Sequence, residues 1–132
     1  MITMSPKLII LIEDDVNLRQ SIALVLQRAG YLVTATDCVY MAMGFIQSRK
    51  YNLIIMDNNI PETRKVLLPN VLGISPYLSI VVLTDQSSLE SEGEDKLLSA
   101  HYLIKPIAPE RLLDCVWTIL GKQINYNEEA KN

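Results

Sequence analysis

The chain has 132 residues, the length of one domain, and at 49% hydrophobic and 20% charged it can bury a core without covalent or metal staples, which excludes a disordered chain. Its 12 basic and 15 acidic residues leave a net charge of −3, the wrong sign for holding a polyphosphate backbone, so direct nucleic-acid binding is not expected. Cys38 and Cys115 stand alone as small buried hydrophobes, no leader is legible, and no apolar run approaches the ~20 residues of a membrane span, so the expectation is a reduced, cytoplasmic protein with no membrane contact.

Leu8–Ile12 is a continuous apolar run, the pattern of a strand buried on both faces. Leu18, Ile22, Val25, Leu26 and Ala29 then recur at helical spacing and stop at Gly30, which predicts an amphipathic helix with a glycine terminus. Tyr31–Ala35 reads as the second strand. Asp37 is placed to cap a second helix running to about Ser48, with Ala42, Phe45 and Ile46 inward. Leu53–Met56 is the third strand. After it, Pro61, Pro69, Gly73 and Pro76 break up the segment from Glu62 to Tyr77 and leave room for a short third helix at about Arg64–Val71.

Ile80–Leu83 is the fourth strand. From Gln86 to Ala100 the pattern is polar almost all round, with apolar support only from Leu89, Leu97, Leu98 and Ala100, so a helix there is loosely held. Tyr102–Ile104 is the fifth strand, and Pro109 opens a last helix through Leu112, Leu113, Val116, Ile119 and Leu120. Trp117, beside that stripe, suits the core rim or an interaction anchor equally. The expected domain is 1–121, with 122–132 a polar tail or the start of a linker.

Repeated strand–helix–strand units with right-handed crossovers build an α/β open parallel five-stranded sheet, order 2-1-3-4-5, with helices on both faces. Such sheets bind ligands at the carboxyl ends of their strands, next to the switch point between the first and third. Here those ends carry Glu13-Asp14-Asp15, Asp57-Asn58-Asn59, Thr84-Asp85 and Lys105-Pro106. Carboxylates from two neighbouring strands repel unless a proton or a cation neutralises them, and a hard divalent cation such as Mg2+ is the natural solution. A lysine and a threonine hydroxyl opposite them suit an anionic ligand, with Asp57 as the nucleophile toward a phosphoryl group.

These residues, in this order, resemble the receiver domain of two-component response regulators from Lys7 to Leu120, a flavodoxin-like, CheY-like fold. The resemblance implies a metal-binding acidic pair at Glu13 and Asp14 and a phosphoacceptor at Asp57. It also implies a metal-ligating carbonyl at Asn59, a switch hydroxyl at Thr84, a switch aromatic at Tyr102, and a phosphate-binding Lys105 before a cis peptide. It further implies Mg2+ as cofactor and a phosphohistidine on a sensor histidine kinase or histidine phosphotransfer domain as donor. The output would be a face from Gln86 to Leu120 for a downstream protein target or a homodimer. No external substrate is turned over; the only catalysis is its own phosphorylation and dephosphorylation.

The chain departs from the pattern in two places: the 62–77 segment is remodelled, with the third helix reduced, and the residue after Thr84, small in the family, is Asp85. A carboxylate there opposes an anionic donor. Those departures motivate an alternative, a phosphorylation-independent receiver-like interaction domain, against which the complete site argues. A third class, an enzyme acting on external phosphate, lacks both a G-x-x-x-x-G-K-[ST] loop and a second aspartate two residues after Asp57. His101, the only histidine, has no partner for a metal site.

Overall fold

The computed structural model describes residues 5–74, 78–88 and 100–123. In chain order it forms β1 (Leu8–Ile12), α1 (Val16–Arg28), β2 (Leu32–Thr36), α2 (Val39–Ser48) and β3 (Leu53–Asp57). Next comes α3, which opens as a π-helical turn (Thr63–Leu67) and continues as α-helix (Leu68–Ile74). β4 (Ser79–Thr84), β5 (His101–Ile104) and α4 (Pro109–Leu120) complete it. All strand pairs are parallel, in the expected order β2-β1-β3-β4-β5.

The two-residue period of the strands sorts the core into two layers. Ile10, Ile12, Ile54, Met56, Ile80 and Val82 face Ala42 and Ile46 of α2 and Leu67 and Val71 of α3. Ile9, Leu11, Leu53, Ile55, Val81 and Leu83 face Ile22 and Leu26 of α1 and Leu112 and Val116 of α4. The central strands are therefore apolar on both faces up to their carboxyl ends, where Asp57 and Thr84 stand, whereas the edge strand β2 leaves Leu32 and Ala35 exposed. Trp117 packs partly buried on the α1/α4 layer with the Lys122 ammonium 4.7 Å from its ring centroid, which makes it core rim.

Asp15, in extended backbone, accepts from the Leu18 N–H at 3.0 Å and caps α1, and Gly30 at φ 97 turns the chain back into β2. The expected Asp37 cap of α2 does not form. The N-cap is Cys38, without a side-chain cap bond, and the Cys38 N–H donates to Thr36 Oγ1 at 3.1 Å. β2 runs through Thr36, so its hydroxyl closes the turn and Asp37 lies one residue too early to reach the first helical amides. Cys38 and Cys115 are half-buried free thiols rather than fully buried ones.

The third helix is remodelled rather than reduced, spanning Thr63–Ile74, and it runs straight through Pro69. Proline in a helix clashes with the carbonyl four residues earlier, here Lys65, and donates nothing to it. The wider π-helical turn, in which Leu68 N–H reaches back to Thr63 O, opens the helix at that point. Of the helix expected between Gln86 and Ala100, residues 86–88 are helical and 89–99 lie outside the described residues, as do 1–4, 75–77 and the tail from 124.

Candidate functional site

The parallel register brings the carboxyl ends of β1, β3, β4 and β5 to one edge. Glu13 is 0% and Asp57 1% exposed there, while Asp14 is exposed. Lys105 Nζ lies 2.8 Å from Glu13 Oε1 and 3.2 Å from Asp57 Oδ1, a single ammonium bridging two buried carboxyl groups. The Lys105 N–H donates to Thr84 O at 2.7 Å, and the Lys105–Pro106 peptide is cis, as the sequence resemblance implies.

Asp57 is anchored on one side only. Its Oδ1 accepts from the Asn59 N–H at 2.9 Å and from Lys105, whereas Oδ2 is buried with no hydrogen-bond partner. Glu13 Oε2 accepts from the Asp14 N–H at 2.9 Å; Oε1 has the ion-pair contact to Lys105 without hydrogen-bond alignment. Burial, reinforced by the neighbouring Asp57 carboxylate, raises the Glu13 pKa from 4.5 to about 7. Burial also pushes Asp57 upward, but the neighbouring Glu13 carboxyl, the Asn59 N–H, the nearby Asp14 carboxyl and the Lys105 charge outweigh it and hold Asp57 below the usual range. For Lys105, burial is outweighed by Glu13 and Asp57, so the ammonium is strengthened. The two carboxyl groups are therefore pushed apart, Glu13 toward its protonated form and Asp57 toward its ionised one.

Glu13, Asp14 and Asp57 each offer a carboxylate oxygen, and these atoms lie within 4.8 Å of one another. That donor set, with Asp57 Oδ2 unengaged, fits a hard cation that prefers carboxylate oxygen, so the cluster can hold a metal ion. Asp15, third in the acidic run, is spent on capping α1. Thr84 is fully buried; its Oγ1 donates to Asp85 O at 3.3 Å and accepts from Asn58 Nδ2 at 3.4 Å. Tyr102 is half-buried against the α2/α3 layer. Asp85 Oδ1 accepts from the Ser88 N–H at 2.6 Å and Ser87 Oγ at 2.9 Å, so its carboxylate caps the helical turn that leaves β4. Those bonds hold its pKa below the ordinary value.

The structure thus gathers Glu13, Asp14, Asp57, Asn59, Thr84 and Lys105 at one strand edge, with Tyr102 on β5 beside it. It also adds residues that sequence reasoning missed. Arg19 Nη1 donates to Glu13 O at 2.8 Å and reaches Asp14 O at 3.5 Å, pinning the acidic loop to α1. The buried Thr63 hydroxyl lies 2.7 Å from Ile60 O and 3.2 Å from Asp57 O, clamping the turn after β3. Arg64 Nε donates to Asn58 Oδ1 at 2.6 Å. The only sequence signal for these three was a polar residue in the first turn of a helix that follows a site strand.

The profile of the response regulator receiver domain matches residues 9–116. The chain is 27% identical over 128 residues to the phosphate regulon transcriptional regulatory protein PhoB of Pseudomonas aeruginosa, covering 94% of this chain and 56% of that protein. It is 28% identical over 123 residues to the response regulator protein FleR of the same organism, covering 92% and 26%. The chain therefore spans about half, or less, of the curated relatives it matches. Among solved structures, the chemotaxis protein CheY4 of Vibrio cholerae superposes with a TM-score of 0.76 at 27% identity, covering 88% of this chain and 100% of that one. Among the described residues no helix is long and apolar enough to cross a membrane. With strand order, strand-end chemistry and profile in agreement, the chain belongs to the receiver domains of two-component response regulators.

Proposed function

We propose that Asp57 accepts a phosphoryl group from a phosphohistidine on a sensor histidine kinase or a histidine phosphotransfer domain, and that this changes the protein's affinity for a partner. The observation that carries it is Asp57 itself: buried, held through Oδ1, and with Oδ2 unengaged at the end of β3. Oδ2 attacks phosphorus in line, the phosphorus–nitrogen bond of the donor breaks, and the leaving imidazole nitrogen takes up a proton. Lys105, which already contacts Asp57, balances the charge on the phosphoryl oxygens, and the Thr84 hydroxyl turns to donate to one of them.

Glu13, Asp14, Asp57 and the Asn59 carbonyl are the residues that would hold Mg2+, which when bound supplies positive charge opposite those oxygens. Tyr102 then follows Thr84, and the 86–120 face formed with β5 and α4 reads out the change to a downstream protein target or a second copy of the chain. We place this unit in the cytoplasm, where phosphohistidine donors are made. Its own phosphorylation and dephosphorylation are its only catalysis. Incubation with a small phosphodonor and Mg2+ should add one phosphoryl mass, lost in Asp57→Asn and in metal-free buffer; undiminished labelling of Asp57→Asn refutes the assignment.

A further inference from the structure

Thr84 and Tyr102 are tied to α3 by a chain of hydrogen bonds that phosphoryl transfer does not require. Arg64, on the π-helical turn, donates Nε to Asn58 Oδ1 at 2.6 Å and Nη2 to the Tyr102 hydroxyl at 3.4 Å. A guanidinium carries donors only, so the amide oxygen of Asn58 must face it, and the amide nitrogen is thereby turned toward Thr84. Nδ2 donates to Thr84 Oγ1 at 3.4 Å, while the proton of that hydroxyl goes to Asp85 O at 3.3 Å. One rigid fork therefore orients an amide, a buried hydroxyl and a phenol that belong to three different strand ends.

We propose that Arg64 is a positioning residue that latches Thr84 and Tyr102 in the unphosphorylated arrangement, holding Thr84 through the Asn58 amide and Tyr102 directly. The inference rests on the assignment of Asp57 as phosphoacceptor. A phosphoryl group there offers the Thr84 hydroxyl an anionic acceptor, and for the hydroxyl to turn toward it the bonds to Asp85 O and from Asn58 must open. The latch opposes that turn, so part of the affinity for the anion is spent on opening it. An anion bound only by the turned arrangement binds more tightly once the latch is removed, because the competent arrangement is then more populated.

Beryllofluoride, a non-covalent phosphoryl analogue, tests this on the full chain by titration in saturating Mg2+. Arg64→Met keeps the aliphatic stem and removes the fork. It should bind beryllofluoride about fivefold more tightly, the factor that accompanies loss of one modest hydrogen bond. Its affinity for Mg2+ alone should stay parental, and the Thr84 and Tyr102 amide resonances of the ligand-free variant should move toward their beryllofluoride-bound positions. Tyr102→Phe, which removes only the hydroxyl, should give part of the same gain, and the double variant less than the product of the two. Should Arg64→Met not fold, Arg64→Lys, which keeps charge and stem but not the planar fork, carries the same expectation. Unchanged or weaker beryllofluoride binding at parental Mg2+ affinity and melting temperature overturns the latch. A parental protein that binds no beryllofluoride overturns the Asp57 assignment, and the latch with it.

Discussion

Replacing Lys105 with methionine keeps the aliphatic stem and removes the ammonium that bridges two buried carboxyl groups. At an effective dielectric of ~20, the 3.2 Å contact with Asp57 is worth about 5 kcal/mol of Coulomb attraction, before the opposing cost of burying the lysine, and the 2.8 Å contact with Glu13 adds to it only as far as Glu13, its pKa raised to about 7, is ionised. Taking one member out of a buried ion pair ordinarily costs ~3–5 kcal/mol, because the other charge is left uncompensated. Here Glu13 already titrates at about 7 and answers the loss by holding its proton more firmly, which leaves Asp57 as the single stranded charge. The expected net cost in metal-free buffer is therefore lower, ~2 kcal/mol. For 132 residues, with an unfolding entropy of about 0.28 kcal/mol/K, that is a melting temperature lower by ~7 °C. A divalent cation would then be the only counter-charge left, so millimolar Mg2+ should raise the melting temperature of Lys105→Met by more than it raises that of the parent, even as phosphorylation slows. Calorimetric melts of both proteins with and without Mg2+ decide it. If the variant gains no more from Mg2+ than the parent does, the ammonium and the cation do not share these carboxylates, and the electrostatic account of the site is wrong.

The parental protein should itself be stabilised by Mg2+, by mass action on a site present only in the folded state, and the shift should shrink in Asp57→Asn; equal melting temperatures with and without millimolar metal refute the site. Without metal, stability should fall as pH rises from ~5 to ~8. Glu13 binds its proton more tightly folded, at about 7, than unfolded, at 4.5, so its contribution is whole below 4.5 and lost through 7. Asp57, whose folded pKa is depressed, has delivered its own contribution by pH ~5, and Mg2+, by holding Glu13 ionised, should abolish the slope; a metal-free slope of opposite sign counts against this assignment of the proton. Asp85 carries a charge and a cap that two substitutions separate: Asp85→Asn keeps the acceptor for Ser88 and Ser87, and Asp85→Ala removes it. Both should label several-fold faster than the parent with a small anionic donor, most at low salt, whereas only Asp85→Ala should melt earlier. Parental labelling rates for both at every ionic strength would show that the carboxylate does not oppose the donor.

Sheet order and the location of the site were legible before any coordinates, because both follow from local patterns. Apolar runs such as Leu8–Ile12 and Leu53–Met56 can only be central strands, and a parallel sheet lines up the carboxyl ends of its strands whatever lies between them. Glu13, Asp57, Thr84 and Lys105 each follow such a run directly, so their convergence needed no knowledge of loops. Local pattern misled where two neighbours competed for one role. Thr36 and Cys38 closed the turn that Asp37 was expected to cap.

Only the tertiary structure decided how the acidic run divides its work, with Asp15 capping α1 while Glu13 is buried against Lys105, since that division depends on burial and on Lys105 arriving from the far edge of the sheet. It alone also brought Arg64 to Tyr102, 38 residues away in sequence. Backbone periodicity is written residue by residue, but the partner of a long polar side chain is chosen by distance after folding, and an arginine on a helix turn carries no mark of which hydroxyl it will meet.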